Sequence, residues 1–301
     1  MKILITGANG QLGHDCMQEA LKRGHEAIGS DIAEKPAINI PYVKLDITDR
    51  AAVEKTIADI RPDAIIHCAA WTAVDAAEDA ENRAKVHAIN AEGTGYLAGS
   101  AAKAGAKLLY VSTDYVFDGK GNRPWQPDDK AYAPLNYYGR TKLEGELAVS
   151  ASLEKYFIVR IAWAFGLNGK NFIRTMLNIG KNHDTVRVVD DQIGTPTYTV
   201  DLARLLVDMV ETEQYGYYHA TNSETEPGGY ISWADLAQET YHTAGMNVNV
   251  IRVSSSEYGM SVAARPHNSR LDKTKLTKAG FRPLPDWKDA VRRYISEVME
   301  D

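Results

Sequence analysis

The chain has 301 residues, 44% hydrophobic and 25% charged, with 23 glycines, 11 prolines and two cysteines. Such usage belongs to a globular chain that buries a large core without disulfides, and it excludes disordered, collagen-like and disulfide-scaffold classes. A net charge of −6 leaves no basic excess to neutralise a phosphate polymer or an anionic bilayer, so neither nucleic acid nor a membrane surface is an expected partner.

In chain order, apolar runs at 2–6, 26–30, 42–45, 63–69, 107–112 and 156–163 read as strands, and helical spacing occupies 11–23 and 49–60. The unbroken runs Ile3-Leu4-Ile5 and Ala64-Ile65-Ile66 suit strands covered on both faces. Strand, helix, strand in succession predicts right-handed crossovers and a parallel sheet. The expected fold is α/β: a Rossmann-like doubly wound parallel sheet over 1–165, followed by a smaller C-terminal lobe over 166–301 that binds substrate. Glycine, asparagine and proline punctuate that second part at 166–170, 192–197 and 222–229, and helices are expected at 232–243 and 286–299. Elements at about 198–222 are expected to return to the first domain. The N-terminal run reaches Gly7 too soon for a signal-peptide core, and no apolar run nears the roughly 20 residues of a membrane span, so a cytoplasmic location is expected.

Gly7-Ala8-Asn9-Gly10-Gln11-Leu12-Gly13 follows the first strand and opens the first helix. Glycines there allow a turn closed to a Cβ and a close approach of backbone to a diphosphate, whose charge the helix N-terminus receives. Asp31, at the end of the next strand, is placed to accept hydrogen bonds from ribose hydroxyls. A plain strand–helix turn is the competing reading, and the acid at Asp31 weighs against it. A carboxylate at Asp31 disfavours a 2′-phosphate, yet either NADPH or NADH is retained as the cofactor.

Tyr138 and Lys142, at i and i+4, share one helix face after the fifth strand, whose end, Ser112-Thr113-Asp114, brings a hydroxyl to the same edge of the sheet. Without that placement the pair reads as two solvated side chains. A carbonyl being reduced by hydride leaves an alkoxide that needs a proton. A phenolate costs about 4 kcal/mol at pH 7, and one cation about 4 Å away at an effective dielectric near 20 supplies about as much. Lys142 is thus expected to make Tyr138 a usable acid, with Thr113 bonding the substrate carbonyl.

These residues, with Cys68-Ala69-Ala70 after the fourth strand and Asn90, resemble the extended short-chain dehydrogenase/reductase family in identity and order. Further blocks, among them Ser112-Thr113-Asp114-Tyr115-Val116-Phe117-Asp118-Gly119, Arg160-Ile161-Ala162-Trp163 and Asp191-Gln192-Ile193-Gly194-Thr195-Pro196-Thr197, resemble its branch that reduces nucleotide-linked keto sugars. The resemblance implies NAD(P)H-dependent reduction of the 4-keto group of a sugar of the dTDP-4-dehydrorhamnose type. It implies Gly7, Gly10, Gln11, Leu12 and Gly13 on the diphosphate, Asp31 on the ribose, Asp46 and Ile47 beside the adenine, and Ala69, Ala70 and Lys142 about the nicotinamide ribose. Trp163 is implied as an apolar wall for the sugar, and Thr113, Asp114, Asn171, Gln192 and Arg270 as contacts to sugar or nucleotide. Some relatives dimerise around Mg²⁺; Asp15 matches one of their acidic positions, but Val200 stands at another and Asp201 lies one residue off, so no metal is expected. A monomer or a homodimer fits equally. The alternatives are another nucleotide-sugar reductase or epimerase, or a non-catalytic dinucleotide-binding regulatory subunit. A 4,6-dehydratase is disfavoured because Tyr115, not a second acid, follows Asp114.

Overall fold

The computed structural model describes residues 1–226 and 228–300; Pro227, in the expected 222–229 turn region, lies outside them. The strands β1 (Lys2–Thr6), β2 (Glu26–Asp31), β3 (Tyr42–Lys44), β4 (Ala64–His67), β5 (Lys107–Thr113) and β6 (Tyr156–Ile161) alternate with helices α1 (Gln11–Lys22), α2 (Arg50–Ile60), α3 (Ala80–His87), α4 (Thr94–Ala104) and α5 (Tyr137–Ser152). Beyond them come α6 (Phe172–Gly180), β7 (Thr185–Val189), α7 (Thr199–Val210), β8 (Gly216–His219), α8 (Trp233–Thr243), β9 (Asn249–Val253) and α9 (Trp287–Glu300). Seven strands form one sheet in the order β8-β6-β5-β4-β1-β2-β3, and every pairing in it is parallel.

Alternation along β1 explains its unbroken apolar run. Ile3 and Ile5 point into one layer with Ile66, Leu109 and the helices α1 and α7. Leu4 points into the other with Ile65, Leu108 and residues of α2 and α4. Local signals set the helix ends: Asp49 caps α2 by accepting from the Ala52 amide at 3.0 Å, and Ser232 with Asp235 forms a capping box on α8. The chain leaves β1 for β2 and β3 on one side, then returns to place β4 on the other side of β1. That reversal opens a crevice at the carboxyl ends of β1 and β4.

The second half does two jobs. Helix α7 lies along α1 and fills the first layer with Leu202, Leu205, Leu206 and Met209, while β8 extends the sheet beside β6. The remainder packs α6, α8 and α9 with the parallel pair β7–β9 into two small cores of its own. This lobe stands over the carboxyl ends of the strands.

Candidate active site

Gly7 turns the chain out of β1 at φ +68°. A Cβ on Gly7 would stand 2.7 Å from the Ala69 nitrogen, and one on Gly13 would stand 2.1 Å from the Gly7 carbonyl oxygen. Both positions therefore demand glycine. Gly10 donates to the Gly7 carbonyl at 2.9 Å and begins α1 with no side-chain cap. The first-turn amides of α1, with the positive end of its dipole, are left to an anion. Asp31 ends β2 beside this turn, its Oδ2 accepting from the Asn9 amide at 3.2 Å. An uncapped helix start, a cradle that any Cβ would fill and a neighbouring carboxylate suit a dinucleotide.

At the other end, Asn136 caps α5 by accepting from the Gly139 amide at 2.8 Å. A Cβ on Gly139 would be 2.4 Å from the Tyr115 carbonyl oxygen, so this helix start lies hard against the turn that follows β5. Tyr138 packs edge-on to Tyr115, ring centroids 5.8 Å apart. Thr113, at the end of β5, lines the same cavity as Tyr138, and its Oγ1 accepts from the Tyr115 amide at 3.2 Å. Lys142 is 3% exposed; its Nζ donates to the Val111 carbonyl at 2.8 Å and lies 4.1 Å from the Tyr110 ring centre.

Burial governs the electrostatics here. It pushes the Tyr138 phenol well above its ordinary pKa, the Asp114 charge adding. Burial also lowers Lys142 to about 7, against the charges of Glu146 and Cys68. Burial thus makes the lysine itself costly to charge and keeps the proton on the phenol. Asp114 is 2% exposed, and burial raises its carboxyl to about 7. Its Oδ1 accepts from Thr113 Oγ1 at 3.1 Å, while Oδ2 has no partner. His67, between Thr6 and Thr94, is lowered to about 3 by burial and stays neutral.

One cavity of about 660 Å³ joins the two ends. Gly7, Gly10, Gln11, Leu12 and Gly13 line it from the turn, and Ala70, Thr113, Asp114, Tyr138, Lys142 and Trp163 from the sheet edge. Trp163 sits there at φ +52°, a conformation that costs a bulky residue about 1–3 kcal/mol. Its ring stacks on Trp233, centroids 4.0 Å apart. A second cavity of about 300 Å³ shares Tyr115 and Trp233 with this region and continues past Phe172, Met176, Arg187 and Tyr258 to Arg265.

Several expected residues lie off the main wall. Asn171 caps α6, accepting from the Arg174 amide at 2.9 Å; its amide nitrogen donates to the Gly166 carbonyl at 2.8 Å and to the Tyr294 hydroxyl at 3.0 Å. The same nitrogen also donates to Gln11 Oε1 at 3.3 Å, which ties the start of α6 to the glycine turn. Gln192 faces the second cavity and accepts from the Trp233 indole at 3.2 Å, so it holds a wall residue. Arg270 turns back on Asn268, donating from Nη1 at 3.0 Å. Asp46 is exposed and bonded to Thr48; Ile47 is buried in the second layer, and Ala69 packs against it. Sequence reasoning gave Asn90 no role: in a π-helical turn it accepts from the Trp71 amide at 2.8 Å and donates to Thr141 Oγ1 at 3.2 Å, tying the segment after β4 to α5. It also missed Trp233 and the second cavity. Among the described residues no His, Cys, Asp and Glu group is arranged to hold a metal.

A parallel seven-stranded sheet with a glycine turn at one end of its crevice and a Tyr–Lys helix at the other defines the nucleotide-dependent short-chain dehydrogenase/reductase class. The family model described as the RmlD substrate binding domain matches residues 1–300, and the chain belongs to that family. It is 40% identical over 294 residues to the dTDP-4-dehydrorhamnose reductase of Streptomyces griseus, covering 96% of this chain and 91% of that one. The crystal structure of a dTDP-4-dehydrorhamnose reductase from Clostridium acetobutylicum matches with a TM-score of 0.90 and 40% identity over 99% of this chain and all of that one (100%). Another, from Bacillus anthracis in complex with NADP, matches with a TM-score of 0.89 and 38% identity, covering 98% of this chain and 99% of that one.

Proposed function

We propose that the chain reduces the 4-keto group of dTDP-4-dehydro-L-rhamnose to give dTDP-L-rhamnose, using NADPH or NADH. The observation that carries this reading is the meeting of Thr113, Tyr138 and Lys142 in the cavity that begins at the glycine turn. When bound, the reduced nicotinamide supplies the hydride. Gly7 to Gly13 and the start of α1 bind the diphosphate, with Asp31 on the adenosine ribose. Thr113 orients the carbonyl by a hydrogen bond, which holds the reacting carbon in position. Tyr138, protonated throughout the neutral range, donates its proton to the oxygen as negative charge develops there. The protonated form of Lys142, in the same cavity, stabilises the phenolate left behind. Trp163 and Trp233 exclude water from one side of the sugar.

The second cavity suits the nucleotide portion. Phe172, Met176 and Tyr258 give it apolar and aromatic surface for a base, and Arg187 and Arg265 offer donors to a diphosphate. The test is to mix the protein with dTDP-4-dehydro-L-rhamnose and, in separate cuvettes, NADPH and NADH. Loss of reduced-nicotinamide absorbance with dTDP-L-rhamnose as product supports the reading. Binding of dinucleotide without oxidation overturns it and leaves another nucleotide sugar or a regulatory role.

A further inference from the structure

Met260 and Val262 are 78% and 71% exposed, so burial anchors neither, yet each of the residues 263–265 is tied to a distant segment. The Ala263 amide donates to Asp75 Oδ1 at 3.0 Å. The Ala264 carbonyl accepts from Asn136 Nδ2 at 2.8 Å. Arg265 Nη2 donates to Asp75 Oδ2 at 2.6 Å. Asn136 is the cap of α5, shortly before Tyr138. Asp75 stands between β4 and α3, in a segment whose Thr72 and Val74 line the main cavity. Further along that segment, Glu78 accepts from the Tyr137 amide at 2.6 Å. The strap 263–265 thus joins the second cavity, which Arg265 lines, to the start of the helix that carries Tyr138 and Lys142. Asp75 itself lines neither cavity, so whatever it does for a ligand it does through Arg265.

We propose that Asp75 is a positioning residue for the sugar nucleotide: it fixes Arg265 as the grip on the diphosphate and so sets where the sugar stands relative to Tyr138. An isolated ion pair at a surface contributes little, because both partners can turn to water. Here one carboxylate holds the strap backbone at Ala263 and the guanidinium at Arg265 together, so less side-chain freedom remains to be lost when a ligand arrives. With Nη2 committed to Asp75, Arg265 Nη1 and Nε have no protein partner among the described residues and are left to donate to phosphate oxygens. A diphosphate carries its sugar at a limited reach, so the place of Arg265 governs the alignment of the keto carbon with the proton donor. A carboxylate that served only as a counter-charge would act in the opposite sense, since its removal would leave Arg265 more attractive to a diphosphate.

This role rests on the placement of the nucleotide in the second cavity. Thymidine, dTDP and NADPH are each titrated into the full chain by calorimetry, and turnover of the sugar nucleotide is measured at saturating NADPH. Wild-type protein is expected to bind dTDP at least about tenfold tighter than thymidine. Asp75→Asn, which keeps the shape and an oxygen for the Ala263 amide, is expected to lose about tenfold in dTDP affinity and to raise KM about as much, with kcat changed less than about twofold. Its thymidine and NADPH affinities stay at the wild-type values. Asp75→Ala, which frees the strap backbone as well, is expected to lower kcat in addition. An equal loss of thymidine, dTDP and NADPH affinity in Asp75→Asn assigns Asp75 to the fold and overturns the proposal, as does tighter binding of dTDP. A wild-type preference for dTDP that Asp75→Asn keeps in full overturns the role of Asp75 alone. Wild-type protein that binds dTDP no tighter than thymidine overturns the placement of the diphosphate at Arg265, and the role of Asp75 falls with it.

Discussion

Two acids whose pKa is raised by desolvation, Tyr138 and Asp114, bear on different properties. Because burial raises the phenol, Tyr138 is a donor that seldom loses its proton until the alkoxide pulls it away. Tyr138→Phe removes that proton and little volume, so it should preserve dinucleotide affinity while lowering kcat by about two orders of magnitude or more. Titrating both variants with NADPH and measuring turnover checks this; equal turnover assigns the proton to another group. Asp114 bears on stability. Its folded pKa of about 7 exceeds an unfolded value of about 3.9, so between those values the unfolded chain releases the proton first. The contribution of this group is fully favourable below pH 4 and is lost as pH rises to 7, by at most about 4 kcal/mol. Lys142, lowered to about 7, works the other way: its cost is complete below pH 7 and relieved as pH rises toward the ordinary lysine range. Asp114→Asn, neutral at every pH, should match the wild type in urea midpoint at pH 4 and exceed it at pH 8. A midpoint difference that does not change with pH means that the carboxyl ionises normally.

Elements set by local signals were readable in the sequence: the glycine turn, the doubly covered strands, and caps such as Asp49 and Ser232. Glycines at 7 and 13 needed no partner to announce the turn, because the demand for a missing Cβ is local. What escaped depended on distant segments. The second cavity draws its wall from the turn after β5, α6, β7, α8 and the chain near Tyr258 and Arg265, and no window of sequence contains them together. Trp163 gives no sequence sign of its left-handed backbone, which is held by the Thr197 amide donating to its carbonyl at 3.2 Å. Asn171, which the family resemblance implies as a contact to sugar or nucleotide, also caps α6, a role set by where the chain enters the helix. Removing it should tell the two roles apart. Loss of the cap costs about 1 kcal/mol, and the buried bonds to Gly166 and Tyr294 about 1 kcal/mol each. Asn171→Ala should therefore lower the unfolding free energy by about 2–4 kcal/mol with little change in KM for the sugar nucleotide. A raised KM at unchanged stability returns Asn171 to the substrate.

At the scale of the molecule, the sheet is not finished by the residues that begin it. One of its two faces is closed by Leu202, Leu205, Leu206 and Met209 of α7, with Tyr218 of β8 and, further on, Leu276, Phe281 and Leu284. Fully burying such side chains is worth about 1.5–3 kcal/mol each, so these eight together contribute about 12–24 kcal/mol, at least as much as the whole net stability of an ordinary domain. Arg23 on the first half adds ties to the second, donating to the Arg204 carbonyl at 3.0 Å and to Asp208 at 2.5 Å. A fragment ending at residue 165 should accordingly fail to fold, although it holds the turn, Thr113, Tyr138 and Lys142. The intact chain should unfold in one step, with far-ultraviolet dichroism and tryptophan fluorescence tracing the same urea curve. Dinucleotide at about 100 times its Kd should move both traces together, by about 2.7 kcal/mol. A soluble fragment with native-like dichroism, or a fluorescence transition that stays in place when NADPH is added, would show that the lobe and the sheet stand separately. In that case closure of the active site is a docking of two independent bodies.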